Sequence, residues 1–348
     1  MSEKNAARPR RIVVTGAAGF VGSHACLALT QERNYHVVAA CRDGSRLSPQ
    51  FDGEVVEGDL RDPNHRQTLV EGADTIVHAA AWSSLYGHKS QSNRLFRDPS
   101  LALLEDAVAA GIKRFIMIST TAAAPPAAAA DANAPGHAPG FWPHLDNIVA
   151  IEDAMRTRVR PGCAMVSLRL GLFVGERYAL GLLPILVPRL KSHLVPWVAG
   201  GRTPMPLIAG EDIGYAISRA VGAEGLSGYE GYNIVGPDIP QARDVINFLA
   251  KQYGLPKPWF SVPFPLAHAF AAIMEWVSRL TPWNPFITRS IIHLLRDFHV
   301  NNEKAYTVLG YVPRTDWRDA VTRQMAEMAE RQPRPMGMVR PLPDDLPH

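Results

Sequence analysis

Three glycines at three-residue spacing directly follow an apolar strand near the start of the chain. Gly16, Gly19 and Gly22 come after a strand predicted over residues 11–14, and a helix-like run continues to residue 29. Small residues at such a junction let the backbone approach a pyrophosphate, whose charge the free N–H groups of a helix N-terminus stabilise. The junction therefore predicts dinucleotide binding; the alternative is a tight strand–helix turn that holds no ligand. The predicted contacts are Gly16, Ala18, Gly19, Phe20, Val21 and Gly22.

The composition is typical of a globular protein with two lobes. A chain of 348 residues exceeds the usual size of one hydrophobic core, and 47% hydrophobic with 20% charged residues is an ordinary balance. A net charge of +3 without a block of Lys and Arg argues against nucleic-acid binding. The isolated cysteines Cys26, Cys41 and Cys163 predict neither a disulfide framework nor a zinc site, and we expect no metal.

Targeting features are few, and the expected location is the cytoplasm. The first eleven residues are polar and basic without an apolar core, so they do not resemble a secretory signal. No apolar run is long enough to predict a transmembrane helix. Residues 178–190 and 264–280 are nevertheless largely apolar. Core packing is the favoured interpretation of both, and the alternative is peripheral contact with a membrane or a greasy substrate.

Strand-like and helix-like segments alternate along the first half of the chain. Asp98-Pro99 predicts the start of a helix, and Gly111 predicts its end before the next strand. The alternation predicts an α/β fold with a doubly wound parallel sheet of the Rossmann type, whose ligand lies at the carboxyl ends of the strands. The predicted strands are 11–14, 36–40, 54–57, 75–78, 114–118 and 163–170.

The alternation ends after about Gly175, where proline becomes frequent. We therefore expect a nucleotide-binding domain over 1–175, a smaller, mostly α substrate lobe over 176–331 and a proline-rich tail over 332–348. One more short strand is predicted at 232–235, in either lobe. The predicted helices of the second lobe are 212–221, 242–253, 264–279, 286–298 and 317–331.

An Ala/Pro-rich segment over residues 122–143 interrupts the first domain. Its composition does not suit a regular core element, and it follows a strand at the edge where an α/β fold places its active site. A long loop at this place is typically a lid or mobile. Phe141-Trp142 at its end provide apolar groups with which it can dock.

Motifs spread along most of the chain resemble the extended short-chain dehydrogenase/reductase superfamily. After the glycine loop they are Gly58–Asp62, His78–Ala81, Ile116–Thr121, Leu168–Gly175, Glu211–Ile213 and Lys304–Pro313. The resemblance is to the NAD-dependent epimerase/dehydratase type, nearest its 3β-hydroxysteroid dehydrogenase and dihydroflavonol reductase group. It implies oxidoreductase chemistry with a nicotinamide dinucleotide, and a homodimer is common in such families. It also implies cofactor contacts from Asp59, Leu60, Ala79, Ala80, Ala81, Ser119, Leu170 and Leu172.

The end of the second predicted strand bears on the choice between NAD and NADP. NAD-binding members carry an acid there, about twenty residues past the glycine loop, which binds the ribose 2′-hydroxyl. Cys41 occupies that position, and Arg42 follows it. Without a carboxylate nothing repels a 2′-phosphate, and a guanidinium binds phosphate with two hydrogen bonds, with Arg46 as a second cation. The sequence thus predicts NADP(H); the alternative is that Arg42 is a solvated loop charge.

The resemblance fails at the catalytic positions. The family uses a tyrosine and, four residues later, a lysine on the same helix face. Glu152 resembles the glutamate four residues beyond that lysine, which places His144 at the tyrosine position and Ile148 at the lysine position. Phe96 replaces a helix asparagine of the family. The remaining candidates are Thr121, whose hydroxyl would bind the substrate oxygen, and His144, which would supply the proton.

Three functions remain open on these residues. The favoured hypothesis is an atypical NADP(H)-dependent ketoreductase acting on a carbonyl or alcohol of a hydrophobic small molecule. The alternatives are a non-catalytic NADP(H)-binding redox sensor or regulatory protein, and a non-redox isomerase or lyase. His144 is alternatively a surface residue at a helix start and Thr121 a hydroxyl bonded to local backbone, with water as the proton source. The predicted substrate contacts are Ser83, Ser84, Tyr86, Phe96, Phe173 and Tyr178.

Overall fold

The computed structural model describes residues 8–177, 182–296 and 299–330, and its centre is a seven-stranded parallel sheet between helices. The strands are β1 (Arg10–Thr15), β2 (Tyr35–Cys41), β3 (Glu54–Glu57), β4 (Thr75–His78), β5 (Arg114–Thr120), β6 (Ala164–Leu170), β7 (Leu172–Val174), β8 (Trp197–Val198), β9 (Leu207–Ala209), β10 (Gly228–Ile234) and β11 (Ser261–Val262). The helices are α1 (Phe20–Thr30), α2 (Pro63–Val70), α3 (Lys89–Ser92), α4 (Asp98–Ala109), α5 (Pro143–Thr157), α6 (Leu182–Lys191), α7 (Gly210–Gly222), α8 (Ala242–Tyr253), α9 (Phe264–Ser278), α10 (Arg289–Leu294) and α11 (Trp317–Glu330). Asn93–Arg97 and Ala305–Leu309 are π-helical.

The strand order places the glycine loop where the sheet reverses direction. The order is β10-β6-β5-β4-β1-β2-β3, so the chain winds outward from β1 to β3 and then in the other direction from β4. A crevice opens between β1 and β4 at such a switch point. A Cβ on Gly16 would lie 2.6 Å from the Cα of Ala80, which shows how closely the two strand ends approach. The doubly wound fold is confirmed, and all six predicted strands form within two residues of their expected ends.

Both faces of the sheet are buried, because successive side chains of a strand point to opposite sides. Ile76 packs with residues of α4 and α5, whereas Val77 packs with residues of α1 and α7. Both side chains are fully buried. Burial of one such side chain stabilises the fold by about 1.5–3 kcal/mol. The central strands are accordingly almost continuously apolar, as a two-sided parallel sheet requires.

The second half of the chain contributes to the first domain as well as to a lobe of its own. β10 pairs with β6 as the seventh strand of the sheet, and α7 packs against α1. Arg114 of β5 donates to the carbonyl oxygens of Ala220 and Val221 at 2.7 and 2.6 Å, so a cation closes the C-terminal end of α7. The strand predicted at 232–235 therefore belongs to the nucleotide-binding sheet. Because α7 and β10 follow residue 175 in the chain but pack with the first domain, the expected boundary at that residue does not coincide with the division between the two lobes.

The remaining elements form the expected, mostly helical lobe. α6, α8 and α11 enclose one core with β7 and β9, and α9 and α10 enclose a smaller one around Ala271 and Ile292. None of the described helices is long and apolar enough to cross a membrane. The end of the helix predicted at 286–298 and the tail at 332–348 lie outside the described residues.

The helix predicted from Asp98-Pro99 forms as α4, but Asp98 does not have the expected role of an N-cap. Helical backbone already begins at Lys89 and continues through the π-helical turn, so that Arg97 has helical angles, φ −59° and ψ −55°. Asp98 therefore caps no free helix end. The π-helical turn ends at Arg97, two residues before Pro99, which has no N–H to donate to it. The predicted end is confirmed, since Gly111 follows α4 with a φ of 73°.

Candidate active site

The N-terminus of α1 is open to a negatively charged ligand. Among the described residues no side chain caps this helix end, and its first turn contains no acid. Gly16 has a φ of 67°, which favours glycine, and its carbonyl accepts the N–H of Gly19 at 2.9 Å. A Cβ on Gly22 would lie 2.2 Å from the same carbonyl oxygen. These positions require glycine, and the free positive end of the helix fits the pyrophosphate of a dinucleotide.

A groove runs from the glycine loop along the carboxyl ends of the strands. At its far end, a cation follows β2 and an acid follows β3. Arg42 is exposed, and no carboxylate of the described residues forms an ion pair with it. Asp59 acts on Arg42 only electrostatically, because Arg61 binds its carboxylate with an Nη2–Oδ2 distance of 2.7 Å. That hydrogen bond is the main reason why the pKa of Asp59 is lowered. A contact between Asp59 and an adenine amino group would share this carboxylate with Arg61.

Glu57 is an acid near the ribose position that the sequence argument missed. It lies opposite Cys41 in the β2–β3 register, and its Oε1 accepts a hydrogen bond from the N–H of Gly44 at 2.5 Å. The sequence near Cys41 does not reveal this acid, because the carboxylate comes from the neighbouring strand. A 2′-phosphate bound by Arg42 would be attracted by the Arg42 guanidinium and repelled by the Glu57 carboxylate.

A buried chain of hydrogen bonds connects the glycine loop to the π-helical turn. Thr15 Oγ1 lies 2.8 Å from His78 Nδ1, and His78 Nε2 lies 2.8 Å from Ser100 Oγ. Ser100 in turn donates to the carbonyl of Phe96 at 2.5 Å, so His78 donates through Nε2 and accepts through Nδ1. Burial lowers the pKa of His78 to about 4. The chain is thus neutral at pH 7, and the Thr15 hydroxyl also accepts the N–H of Ala80 at 3.4 Å.

Two of the predicted cofactor contacts have side chains that point into the core. Ser119 donates to Glu152 Oε1 at 2.8 Å, beneath the end of β5. Leu170 is fully buried among the apolar residues on the opposite face of the sheet. A side chain engaged in the core does not face the groove, so only the main chain of these residues is available to a cofactor. Leu172 is half-buried and packs against the second lobe.

Thr121 lies on the side of the sheet that faces α5. Ser119 points to α5 through its bond to Glu152, and Thr120 is extended, with φ −135° and ψ 144°. Because side chains alternate along extended backbone, Thr121 points to the same side as Ser119. The Thr120 hydroxyl instead accepts the N–H of Ala122 at 3.2 Å. The predicted candidate Thr121, which is only 4% exposed, is therefore on the same side as His144.

His144 occupies an aromatic cage at the start of α5. Its ring centroid lies 5.1 Å from that of Phe96 and 6.5 Å from that of Trp142. Nδ1 is buried and has no hydrogen-bond partner among the described residues. Burial lowers the pKa of His144 to about 4, although a backbone hydrogen bond at Trp82 acts in the opposite direction. The imidazole is neutral at pH 7, which weighs against the predicted role of His144 as a strong proton donor.

Ile148, which the resemblance places at the lysine position, is apolar, and a pair of asparagines lies beside it. Ile148 is buried in the core. Asn147 donates through Nδ2 to Asn93 Oδ1 at 3.0 Å and to Ser92 Oγ at 2.9 Å. The resemblance predicts an asparagine at the position of Phe96. The π-helical turn instead carries an asparagine one turn earlier, at Asn93. No motif marks this contact, because it joins two elements more than fifty residues apart.

A cavity of about 470 Å³ lies beyond the cage, between the Ala/Pro-rich segment and the second lobe. Its lining residues are His137, Pro139, Phe141, Phe264, Pro265, His268, His293 and Arg296. The ring of Trp142 lies 6.5 Å from His144 and 6.1 Å from His293, measured between centroids. His293 Nε2 donates to the carbonyl of Ala122 at 3.0 Å, next to Thr121. Aromatic rings therefore connect the cavity to the candidate catalytic residues.

Comparison with known proteins identifies the family. The model of the NAD dependent epimerase/dehydratase family matches residues 12–234, which run from β1 to the end of β10. The chain belongs to this family. It is an extended short-chain dehydrogenase/reductase of the oxidoreductase/epimerase type, as the motifs predict, and the cofactor class of the family is a nicotinamide dinucleotide.

Individual relatives of the family differ in how much of the chain they match. A 2-alkyl-3-oxoalkanoate reductase from Stenotrophomonas maltophilia is 26% identical over 334 residues, 92% of this chain and 99% of the reductase. A 3β-hydroxysteroid dehydrogenase/Δ5→4-isomerase from Mycobacterium tuberculosis is 35% identical, but over 32% of this chain and only 31% of its own length. The UDP-glucuronic acid 4-epimerase from Bacillus cereus, solved with NAD, superimposes with a TM-score of 0.69 at 19% identity, covering 92% of this chain and 99% of the epimerase.

In this family member, several predicted substrate contacts are structural links. Tyr86 donates its hydroxyl to the carbonyl of Glu275 at 2.8 Å and accepts one from Ser278. The carbonyl of Ser84 accepts the indole N–H of Trp142 at 2.8 Å. The segment after β4 is thereby tied to α9 and to the end of the Ala/Pro-rich segment. Ser83, the residue before Ser84 in this segment, is exposed.

The aromatic residues of the predicted substrate set are separated in space. Phe96 lies in the cage of His144. Phe173 stacks on Phe20 with ring centroids 5.9 Å apart, so it lies beside the nucleotide loop and away from that cage. Tyr178 lies outside the described residues.

The Ala/Pro-rich segment is bound to the sheet edge rather than detached from it. Gly231 donates its N–H to Asn133 Oδ1, and Arg156 donates to the Asn133 carbonyl, both at 2.6 Å. Asn233 donates to the carbonyl of Ala129 at 2.7 Å. Phe141 and Trp142 dock at its end, as expected, against α9 and α10. These contacts make the segment a wall of the site and not a free lid.

Proposed function

We propose that this family member is an NADP(H)-dependent reductase that acts on the ketone of a hydrophobic small molecule. The observation that carries the proposal is the cavity with aromatic and proline walls, which Trp142 connects to His144 and the hydrogen bond from His293 to Ala122 connects to Thr121, at the carboxyl edge of a dinucleotide-binding sheet. Ligand sites of this kind are mostly apolar with few polar groups to fix orientation. The apolar half of the lining, Pro139, Phe141, Phe264 and Pro265, has no side-chain group that could bind the hydroxyls of a sugar nucleotide, but it suits an alkyl or ring substituent of a ketone.

The relatives support the same substrate class. The names of the Stenotrophomonas and Mycobacterium enzymes describe a ketone with alkyl chains and a steroid, both of them hydrophobic. Arg42 supports NADPH over NADH, because an exposed guanidinium without an ion-pair partner among the described residues can bind a 2′-phosphate with two hydrogen bonds.

The residues suggest a simple division of roles. When bound, the dinucleotide supplies the hydride to the carbonyl carbon. The Thr121 hydroxyl donates a hydrogen bond to the substrate oxygen, which gains the electron pair of the broken π bond. A water molecule then gives a proton to that oxygen and leaves as hydroxide. His144 orders this water through its unpartnered nitrogen, since its low pKa makes it a poor acid at pH 7.

The test is NADPH consumption by the purified full chain with long-chain 3-oxo acids, alicyclic ketones and aromatic ketones, each with NADH in parallel. We expect ketone-dependent oxidation of NADPH, faster with long alkyl chains than with short ones. A rate that ignores chain length would contradict the hydrophobic substrate class. Equal rates with both dinucleotides would contradict the NADP(H) preference.

A second candidate function is an NADP(H)-binding sensor that does not catalyse hydride transfer. The observation in its favour is that a buried isoleucine and a neutral histidine occupy the positions of the usual proton-donating pair. Calorimetric titration with NADPH distinguishes the two functions. Tight binding together with no turnover on any ketone would favour the sensor over the reductase.

A further inference from the structure

One face of α9 and of the turn after it is apolar and open to solvent. Its residues are Leu266, Phe270, Ile273, Trp276, Val277, Leu280 and Trp283, which we call the α9 face. Their exposed fractions range from 37% for Val277 to 78% for Trp283. Five of them recur at intervals of three or four residues, so they form one stripe along the helix. Single exposed apolar residues are ordinary, but a contiguous patch of this kind marks an interaction surface.

The exposed charges of the chain segment that contains the α9 face have one sign. Residues 245–296, all of them described, contain five Lys or Arg and one acid, Glu275. Glu275 is buried, and its Oε2 accepts a hydrogen bond from Arg289 Nε at 2.7 Å. The exposed surface of this segment therefore carries no carboxylate, whereas Lys257 and Arg279 are exposed. Tryptophans on an apolar stripe surrounded by cations are typical of a helix that lies on an anionic membrane.

The α9 face borders the mouth of the cavity. Pro265 lines the cavity and is exposed, and Leu266, the next residue, begins the face. His268 lines the cavity from the opposite side of the same helix. α9 thus separates a ligand cavity from a surface suited to lipid.

We propose that the α9 face docks on the surface of an anionic lipid bilayer, with α9 lying parallel to it. Because α9 is too short to cross the bilayer, its apolar side chains enter only the boundary between headgroups and acyl chains. A hydrophobic substrate then passes from the acyl layer to the cavity beside Pro265. The docking stands without the proposed reductase function, and only the route of the substrate rests on that function.

The first test is co-sedimentation of the full chain with phosphatidylcholine vesicles, with and without phosphatidylglycerol. The variant replaces Phe270, Trp276 and Trp283 by serine, and the matched control is Tyr306→Ser, which removes a 63% exposed ring from the π-helical turn 305–309. We expect wild type and control to bind the anionic vesicles, more weakly at high salt. The triple variant should lose at least about tenfold in partition coefficient.

Three results would overturn the docking. They are no vesicle binding by the wild type, equal binding by the triple variant, or a wild-type dimer in ultracentrifugation that the triple variant lacks and vesicles do not dissociate. The dimer would make the α9 face an interface between copies of the chain. A circular-dichroism melt checks that the variant is folded, which its exposed positions lead us to expect.

The second test concerns the route of the substrate. NADPH oxidation is compared for a water-soluble ketone and for a long-chain ketone dissolved in vesicles. We expect the triple variant to lose turnover only with the vesicle-dissolved ketone. Equal loss with both ketones would contradict the route, and absence of turnover by the wild type with both would refute the reductase while leaving the vesicle-binding result unaffected.

Discussion

The carboxylate of Glu152 and the guanidinium of Arg169 form an ion pair, 2.6 Å from Oε2 to Nη2, in which both side chains are fully buried. The hydroxyls of Ser119 and Ser167 donate to the other carboxylate oxygen at 2.8 and 2.7 Å. One carboxylate of α5 therefore joins β5 to β6 directly beneath the candidate active site. Removing one partner from such a pair leaves an uncompensated buried charge.

We expect Glu152→Gln to lower the free energy of unfolding by about 3–5 kcal/mol, because Arg169 loses its counter-charge. Urea denaturation measured by circular dichroism checks this. The control is Glu105→Gln, which breaks the exposed ion pair with Arg158 and should cost less than about 1 kcal/mol. Equal costs for the two variants would show that burial of the Glu152 pair has no energetic consequence.

The cofactor preference should depend on Arg42. If Arg42 binds the 2′-phosphate as proposed, Arg42→Ala removes a charged hydrogen bond, so the Kd for NADPH should rise about tenfold or more, with little change for NADH. Calorimetric titration with both dinucleotides measures this. Arg33→Ala is the control for a general loss of positive charge, because this exposed arginine follows the C-terminal end of α1, away from the glycine loop. If Arg42→Ala weakens both dinucleotides equally, Arg42 does not select the phosphate.

Features that depend on short stretches of the chain were predictable from the sequence. The glycine loop, the six strands and Gly111 follow from local periodicity and from backbone conformations that glycine favours. Glu57, by contrast, lies beside the predicted ribose site only because the β2–β3 register places it opposite Cys41. The direction of the Ser119 side chain follows from the pairing of α5 with β5 and β6. The sequence does not reveal such contacts, because distant segments meet only in the folded chain.

The N-cap role predicted for Asp98 is wrong for a related reason, although α4 does begin at this residue. An acid before proline is a helix start only if the preceding residues leave the helix, and the π-helical turn at Asn93–Arg97 continues it instead. That turn is held by contacts to α5 through Asn147 and to β4 through the chain from Ser100 to His78. Local propensity was thus overridden by tertiary hydrogen bonds.

Stability should fall in mild acid because desolvation lowers the pKa values of two histidines in the fold. The pKa values of His78 and His144 are lowered to about 4 in the fold, against about 6.5 in the unfolded chain. Well above pH 6.5 neither the folded nor the unfolded chain binds a proton at these rings, so the two rings do not lower the free energy of unfolding there. Between pH 6.5 and 4 the unfolded chain binds more protons, so each ring destabilises the fold by up to about 1.4 kcal/mol per pH unit.

His144→Phe isolates the contribution of one ring. Phenylalanine suits the cage between Phe96 and Trp142, and it takes up no proton. We expect the variant to show a smaller drop in urea midpoint from pH 7.5 to 5 than the wild type. An unchanged drop would mean that the pKa of His144 is not depressed in the fold.

Tyr86 distinguishes a structural link from a substrate contact. Tyr86→Phe removes the hydrogen bond to the Glu275 carbonyl of α9, which should lower the free energy of unfolding by about 1 kcal/mol. The KM for the ketone should stay within about twofold of the wild type, since the hydroxyl is already engaged in the protein. A large rise in KM with no loss of stability would restore the role in substrate binding that the sequence predicted.

Variants of the two adjacent threonines test how a substrate oxygen would be held. Thr121 lies on the α5 side of the sheet with His144, whereas the Thr120 hydroxyl caps the following turn. If Thr121 donates to the developing alkoxide, Thr121→Val should lower kcat about 10²–10³-fold, as the loss of one such donor does elsewhere. Thr120→Val keeps the same shape change without that loss, so its kcat should fall by less than about tenfold. NADPH oxidation under saturating ketone measures both. The reverse ranking would move the oxygen-binding role to Thr120 and place the reacting carbon on the opposite side of β5, away from His144 and the cavity.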